Sequence, residues 1–339
     1  MKTKLIASLI AVSAIAVAPA QAETTVSTKG GLKVESGEYS FQFGGRLMYD
    51  YNKAELNGAV DEDDFDQRRA RVYAKGTISE HWSFKTQFNV DGSGIEDFYI
   101  RYSGWGKKAL VTIGNQRMPF SMNAQTSSND ISILERSALT ELYDPGRQDS
   151  IMLHGALNDK STYAVGVYTD DTPDSEMGFA ARYTYAPVLS DRKVVHLGLA
   201  YSDINDSSAV GFEAAAASGP FHIQAEYVDG EAGADDLSSS YVQVGYILTG
   251  ESLPYKGGAF KRVAPSGNKG AWELVGRYED GDGNFSDIEL GTTDATSYTV
   301  GVNYYPHKNV KIGVNYTDGE SNVSDDEGNE FRVRFQLTF

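Results

Sequence analysis

The chain has no cysteine, only 9 prolines in 339 residues, and no long apolar run beyond its first two dozen positions. Without cysteine an exported protein cannot rest on disulfides, so a large hydrogen-bonded architecture has to hold it together. Without a second apolar run of about 20 residues it cannot be a helical membrane protein. Its mean hydropathy of −0.39 resembles that of a water-soluble chain. A β-barrel reaches the same average, because lipid-facing and lumen-facing residues alternate along each strand. Basic residues are also in short supply, 30 Lys and Arg against 47 Asp and Glu, for a formal charge of −17. That balance argues against nucleic acid as a partner. Glycine patterns of nucleotide sites are missing too; Gly291-Thr292-Thr293 reads as an ordinary turn.

What is present begins with an export leader over residues 1–22. Lys2 and Lys4 form a positive start, Leu5 to Ala18 is uncharged and apolar, and Ala20-Gln21-Ala22 has the small-x-small form of a cleavage site. Residues 23–339 carry 35 Gly, 21 Tyr and 15 Phe between them and the leader. From about residue 38 they alternate with period two, apolar and aromatic residues on one face. The runs are about 10 residues long, the length a tilted strand needs to cross a bilayer. Strands are expected near 38–52, 65–79, 82–91, 95–104, 108–116, 149–157, 161–170 and 177–187. Eight more are expected near 193–203, 208–218, 219–229, 239–250, 270–281, 296–306, 308–318 and 330–339. An even count of 16 permits an all-β, closed, antiparallel transmembrane barrel, and lipid tolerates no open sheet edge. In the last run Phe331, Val333, Phe335, Leu337 and Phe339 share one face, with Arg332, Arg334, Gln336 and Thr338 on the other. An amphipathic final strand ending in Phe339 has the form of the signal read by the barrel-assembly machinery of the outer membrane.

The connections predict two ends. Gly104-Trp105-Gly106-Lys107-Lys108, Asn158-Asp159-Lys160 and Pro306-His307-Lys308-Asn309 read as short basic turns. Asp61 to Asp64, Thr169 to Thr172, Asp229-Gly230-Glu231 and Asp325 to Glu327 read as longer acidic loops. With 16 strands both termini fall on the periplasmic side, so the acidic loops face outward, solvated or bridged by divalent ions to lipopolysaccharide. Two connections are anomalous. About 30 residues, 117–147, separate the fifth and sixth strands, and a loop that long is usually functional; it reads as a constriction loop. A long periplasmic turn occupies 251–269.

Strand parity assigns the lining. Arg46, Arg69, Arg71, Lys75, Lys85, Arg101, Arg182, Arg277, Lys311, Arg332 and Arg334 face inward, with the acids Asp97, Glu226 and Glu273. Arg117, Arg136 and Arg147 lie in or beside the constriction segment. Inward placement is expected of any barrel arginine, since a charge in lipid costs a few kcal/mol. Rings or ladders of Arg and Lys are also how pores select anions, and guanidinium holds phosphate by paired hydrogen bonds. These residues therefore point to passive diffusion of small anions, with a weakly selective general pore as the alternative. No metal or cofactor is implied. An outer-membrane barrel enzyme would need a nucleophile or water-activating cluster, and His81, His154, His196, His222 and His307 show no such pattern. A structural or adhesive barrel would need neither the basic lining nor the long loop.

Several stretches together carry a resemblance. They are Phe65-Asp66-Gln67-Arg68-Arg69-Ala70-Arg71-Val72, Gly114 to Phe120 (Gly-Asn-Gln-Arg-Met-Pro-Phe) and Glu135-Arg136-Ser137. Pro145-Gly146-Arg147, Tyr246 to Glu251 and Gly270 to Tyr278 complete the set. Over nearly all of residues 23–339 the chain resembles the phosphate-selective porins of the O and P type. That resemblance implies a homotrimer of 16-stranded barrels, each with its own pore. It implies an arginine ladder, matched best by Arg69 and Arg71, leading to a narrow site and then to a lysine-rich region. It further implies that the segment with Arg117, Arg136 and Arg147 constricts the lumen. The turn carrying Lys256, Lys261, Arg262 and Lys269 is expected to fold inward. The chain departs from the family in its short external loops and in segment 118–146, where Arg136 is the one basic residue beside Asp130, Glu135, Glu141 and Asp144.

Overall fold

The computed structural model describes residues 24–28, 30–138, 140–169, 176–233, 235–285, 291–323 and 325–339. The expected leader, and Asp170 to Thr172 of one acidic loop, lie outside the described residues. Among the described residues the sheet has 18 strands. The first two, β1 (Thr24–Ser27) and β2 (Leu32–Ser36), form a hairpin on the start of β3, where Leu32 to Ser36 pair with Phe43 to Tyr39. The other 16 make the barrel. They are β3 (Tyr39–Leu56), β4 (Ala59–Thr77), β5 (Trp82–Asn89), β6 (Ile95–Tyr102), β7 (Leu110–Arg117), β8 (Arg147–Asn158), β9 (Ser161–Thr169) and β10 (Met177–Ser190). After them come β11 (Lys193–Ile204), β12 (Ser207–Ser218), β13 (Phe221–Ala232), β14 (Asp235–Ile247), β15 (Ala271–Phe285), β16 (Gly291–His307), β17 (Val310–Ser321) and β18 (Asp326–Thr338). Every neighbour is antiparallel, and β18 closes on β3 from Gly328↔Leu56 to Thr338↔Arg46. The terminal Phe339 exchanges two backbone hydrogen bonds with Gly45, at 2.9 and 3.0 Å, so the last residue is part of the seam.

Closure follows from the alternation. Outward residues such as Leu197, Leu199, Phe212, Val242, Val244, Leu274 and Val300 stay exposed on the outer face of the isolated barrel, while their neighbours in sequence are buried or half-buried. Aromatics border this band. Trp272 stacks on Tyr304 with centroids 4.4 Å apart, and at the other end Tyr278 and Tyr298 are 4.8 Å apart. Just beyond, outward tyrosines donate to aspartates: Tyr51 to Asp63, Tyr201 to Asp203, Tyr227 to Asp229 and Tyr278 to Asp280, at 2.9–3.1 Å. An aromatic rim with a charged tip above it is the form of a membrane–water boundary.

The acidic loops are a correction. Asp61 to Asp64 lie inside β4, and Asp229 to Glu231 inside β13. The chain turns earlier than expected, at Asn57-Gly58, where both residues have positive φ (52° and 76°) as a two-residue type I′ hairpin requires. Strands at this end run on past the aromatic rim, so their acids sit on paired backbone rather than in long loops.

The lumen is filled unequally. Segment 118–146 and the connection 248–270 both turn inside against β10 to β18. Met122, Leu253, Phe260 and Val263 pack with Ala186, Val194, Ala215, Ala217, Ala271 and Tyr305. Phe120 packs with Ala200, Ala209 and Val228, and Met118 with Tyr168 and Ala180. Small inward residues make the room: at Gly230 an added Cβ would sit 2.6 Å from the ring of Tyr143. Segment 118–146 includes one turn of helix, α1 (Met122–Gln125).

Candidate functional site

Because those two segments cover most of the β10–β17 wall, the water-accessible lining is on β3 to β8 and the adjoining β18. Down β4 the side chains of Arg69, Arg71, Tyr73 and Lys75 follow one another at every second residue, covering about 20 Å at about 3.3 Å per residue. Arg46 on β3 is directly opposite Arg71. Lys85 on β5 is opposite Lys75, and Tyr99 on β6 is opposite Lys85. Arg101 continues β6 and lies 5.2 Å from the Tyr99 ring centroid. Aromatic faces beside cations support the charge without neutralising it; Lys75 stands likewise 5.4 Å from the Tyr73 ring.

Acids hold half of these cations, and Arg147 beside them. Glu96 pairs with Arg71 and, at 3.0 Å, with Arg147. Asp97 pairs with Lys85 and, at 2.9 Å, with Arg147. Neighbouring residues of a regular strand cannot both face inward; here the register slips between Gln87↔Asp97 and Phe88↔Ile95, leaving Glu96 as a bulge. A second slip, between Met48↔Arg69 and Asp50↔Asp66, aims Arg68 as well as Arg69 into the lumen. Both reach Glu135 of segment 118–146. Arg68 holds it with two bonds of 2.9 and 3.0 Å, and Arg69 with two of 3.3 Å. Arg332 and Arg334 reach the same carboxylate at 2.9 and 2.5 Å. Burial pushes the Glu135 carboxyl up, but the charges of Arg69, Arg334 and Arg68 outweigh it and hold the group well below the ordinary carboxylate range.

The expected residues thus divide into three groups. Arg46, Lys75 and Arg101 have no carboxylate within ion-pair distance among the described residues; Arg46 donates to Ser128 Oγ at 2.6 Å and Arg101 to Thr112 Oγ1 at 3.1 Å. Arg69, Arg71, Lys85, Arg147 and Arg332 line the water-accessible side in ion pairs. The remainder are built into the packing. Arg182 is buried on Glu213 at 2.6 Å, Arg277 on Glu279 at 2.7 Å and Arg334 on Asp50 at 2.5 Å. Arg117 pairs with Asp144. Arg136 donates to Asn123 O and Thr126 O at 2.9 and 2.7 Å and pairs with Glu141 at 3.3 Å. Burial lowers it to about 10, so it ties its own segment together. Lys311 is buried and donates to Ile131 O and Ser132 O at 2.8 and 3.1 Å. Inward acids were undercounted: Asp50, Glu96, Glu135, Asp144, Glu213 and Glu279 join Asp97, Glu226 and Glu273.

The same acids strap segment 118–146 to the wall. Glu226 accepts from Met122 N and Asn123 N at 2.8 and 2.6 Å, and from the Tyr241 hydroxyl at 2.5 Å. Glu273 accepts from Ser132, Asn303 and Tyr305 at 2.7, 2.8 and 2.6 Å. In the turn, Lys261 reaches Asp130 at 3.7 Å, and Arg262 donates to Thr338 Oγ1 at 3.1 Å. His154, His196 and His222 lie among such contacts: His154 meets Thr112 at 2.8 Å, His196 bridges Tyr255 and Glu213, and His222 stands 2.9 Å from Glu273. Glycines opposite large inward side chains provide clearance; Gly198, Gly245 and Gly301 pair directly with Glu213, His222 and Asn315.

A family model described as phosphate-selective porin O and P matches residues 41–209 and 202–339. Porin O of Pseudomonas aeruginosa is 29% identical, over 94% of this chain and 93% of its own length. An uncharacterized protein of Caulobacter vibrioides is 24% identical over 88% of this chain and 72% of its own. Among solved structures, OmpT of Vibrio cholerae has a TM-score of 0.61 at 13% identity, covering 90% of this chain and 99% of that one. An anion-selective porin from Comamonas acidovorans has a TM-score of 0.60 at 14% identity, covering 89% and 100%. At these identities the structures speak to the fold alone.

Proposed function

The chain belongs to the phosphate-selective porin O and P family of outer-membrane porins, and from that premise we propose that its lumen passes small anions, phosphate and related oxyanions among them. The observation that carries the reading is the one-sided lining: Arg69, Arg71 and Lys75 descend one strand, flanked by Arg46, Lys85, Arg101 and Arg147, while the opposite wall is covered. A passing anion meets a file of donors and never a closed cage, which suits binding weak enough for onward transfer. Segment 118–146 acts as the constriction and the 248–270 turn narrows the periplasmic half. We read the protein as a channel and not an enzyme, since the buried histidines are engaged in packing. The barrel assembles as a trimer, as one form of Vibrio cholerae OmpT does; Phe339 engages the assembly machinery, and outward aspartates above the aromatic rim meet lipopolysaccharide through divalent ions.

Planar-bilayer recording tests the reading. Under a potassium chloride gradient the reversal potential should favour chloride, and millimolar phosphate should reduce chloride current saturably. A reversal potential favouring potassium would sink anion selectivity, and an unaltered chloride current would sink the phosphate clause.

A further inference from the structure

Four guanidinium groups from two separate strands converge on one side-chain carboxylate carried by a third part of the chain. Arg68 and Arg69 come from the β4 bulge, Arg332 and Arg334 from the last strand, and the carboxylate is Glu135, carried on the lumenal segment. Asp50 and Glu330 balance part of this charge, Asp50 on Arg334 and Arg332 and Glu330 on Arg332. Glu135 is placed so that Arg68 and Arg69 each hold both of its oxygens by paired bonds, while Arg332 and Arg334 approach Oε1 alone. That is the geometry in which a cluster of arginines holds two oxygens of a phosphate. The assembly is also open to water: the Arg68 side chain is 36% exposed and that of Glu135 29%, while Arg334 beneath them is 1% exposed. A purely structural ion pair on the covered wall looks different. The Glu213 side chain under Arg182 is 0% exposed.

We propose that Glu135 is a tethered internal anion that occupies this arginine basket at the constriction and competes there with the passing oxyanion. The inference rests on the anion-channel reading and deepens it by naming a site and a reason for weak affinity. A phosphate or phosphate-ester oxyanion enters by displacing the Glu135 carboxylate from the exposed Arg68 arm first. On departure Glu135 returns, so the four arginines are never left facing one another uncompensated. The tether sets an upper limit on occupancy, which a channel needs if each ion is to leave.

The test is the inorganic phosphate concentration that half-blocks chloride current through the purified full-length barrel, compared between wild type, E135Q and E141Q. Glu141 lies on the same segment but pairs with Arg136, outside the basket. If Glu135 competes for the site, E135Q tightens half-block about tenfold or more, one charged hydrogen-bonding partner's worth, and E141Q moves it less than half as far on a logarithmic scale. Equal shifts in the two variants would mean a general field effect and overturn the proposal, as would no shift in E135Q. Should E135Q not reach the folded, heat-modifiable form, E135D replaces it: a carboxylate withdrawn by one methylene should tighten block severalfold, and an unchanged value overturns the proposal. If wild type shows no block, the phosphate reading above fails by itself. Block newly gained in E135Q then still supports the tether, and its absence rejects it.

Discussion

Replacing Glu226 by Ala isolates what holds the lumenal segment in place. The Glu226 carboxyl accepts three hydrogen bonds, from the backbone of Met122 and Asn123 and from Tyr241, all in a region buried from water. A buried donor left without an acceptor costs about 1–3 kcal/mol, so three orphaned donors amount to about 3 kcal/mol at the low end of the range. Spent entirely on the attached state, about 3 kcal/mol is a factor of about 150 in the ratio of attached to detached segment. Most of the barrel is untouched, since the strand ladder around Glu226 is backbone and continues through Glu213↔Glu226 and Glu226↔Tyr241. The expected result is therefore specific: a folded barrel whose single-channel trace becomes noisy, with cleavage inside 118–146 by added protease. E226Q keeps a carbonyl acceptor for one backbone donor and should be intermediate. A quiet trace of wild-type conductance, with the segment still resistant to protease, would show that the strap is not where the segment's stability resides.

Among the unpaired cations, K75A or R101A should shift the reversal potential toward potassium while the barrel remains fully heat-modifiable on a semi-native gel; an unchanged potential for both would place selectivity elsewhere. R182M removes the partner of fully buried Glu213, a loss of about 3–5 kcal/mol, and should lower the temperature at which the folded band is lost; retention of that temperature would contradict the pairing. Acidification has a definite sign. Burial raises the Asp144 and Glu141 carboxyls, against Arg117 and Arg136 beside them, while Glu135 is held low by its arginines. As the pH falls from neutral, the first two lose charge ahead of Glu135, so chloride selectivity in a potassium chloride gradient should rise, and D144N with E141Q should flatten the change. Deleting Phe339 removes both of its bonds to Gly45 and should reduce the yield of assembled barrel in outer-membrane fractions, measured against equal synthesis.

Strand number, facing and closure were legible because a barrel wall repeats one rule, and the rule is local: each residue's neighbours two positions away share its side. What local alternation cannot express is a slip. Strict parity sends Arg68 into lipid, at a cost of about 2–4 kcal/mol near mid-bilayer. That cost was the signal of a bulge between Phe65 and Arg69, as the adjacent acids Glu96 and Asp97 were of the second. Asn57-Gly58 was likewise readable as the strongest short hairpin signal, but the acidic run that follows it drew the turn four residues too far along. The convergence on Glu135 was not readable. It depends on β4, β18 and a segment between β7 and β8 arriving together, and nothing near any of them in the chain records the other two. For the same reason a count of inward bases looked like a positive lining when most of those bases are spoken for.

That pairing bears on how such a pore can favour anions while the chain as a whole is acidic. Cations crowded along one wall repel each other, and burial next to covered segments removes the water that would screen them. Glu96, Asp97 and Glu135 relieve that repulsion, each shared by two or more bases. Sharing leaves a residual positive field, because a carboxylate divided between arginines neutralises none of them fully. An anion in transit needs only to take a larger share for a moment. Arg46, Lys75 and Arg101, which have no ion-pair partner among the described residues, add to that field along the lining. Selectivity on this account comes from the geometry of incomplete compensation, and an inventory of charges, at −17 for the chain, points the wrong way.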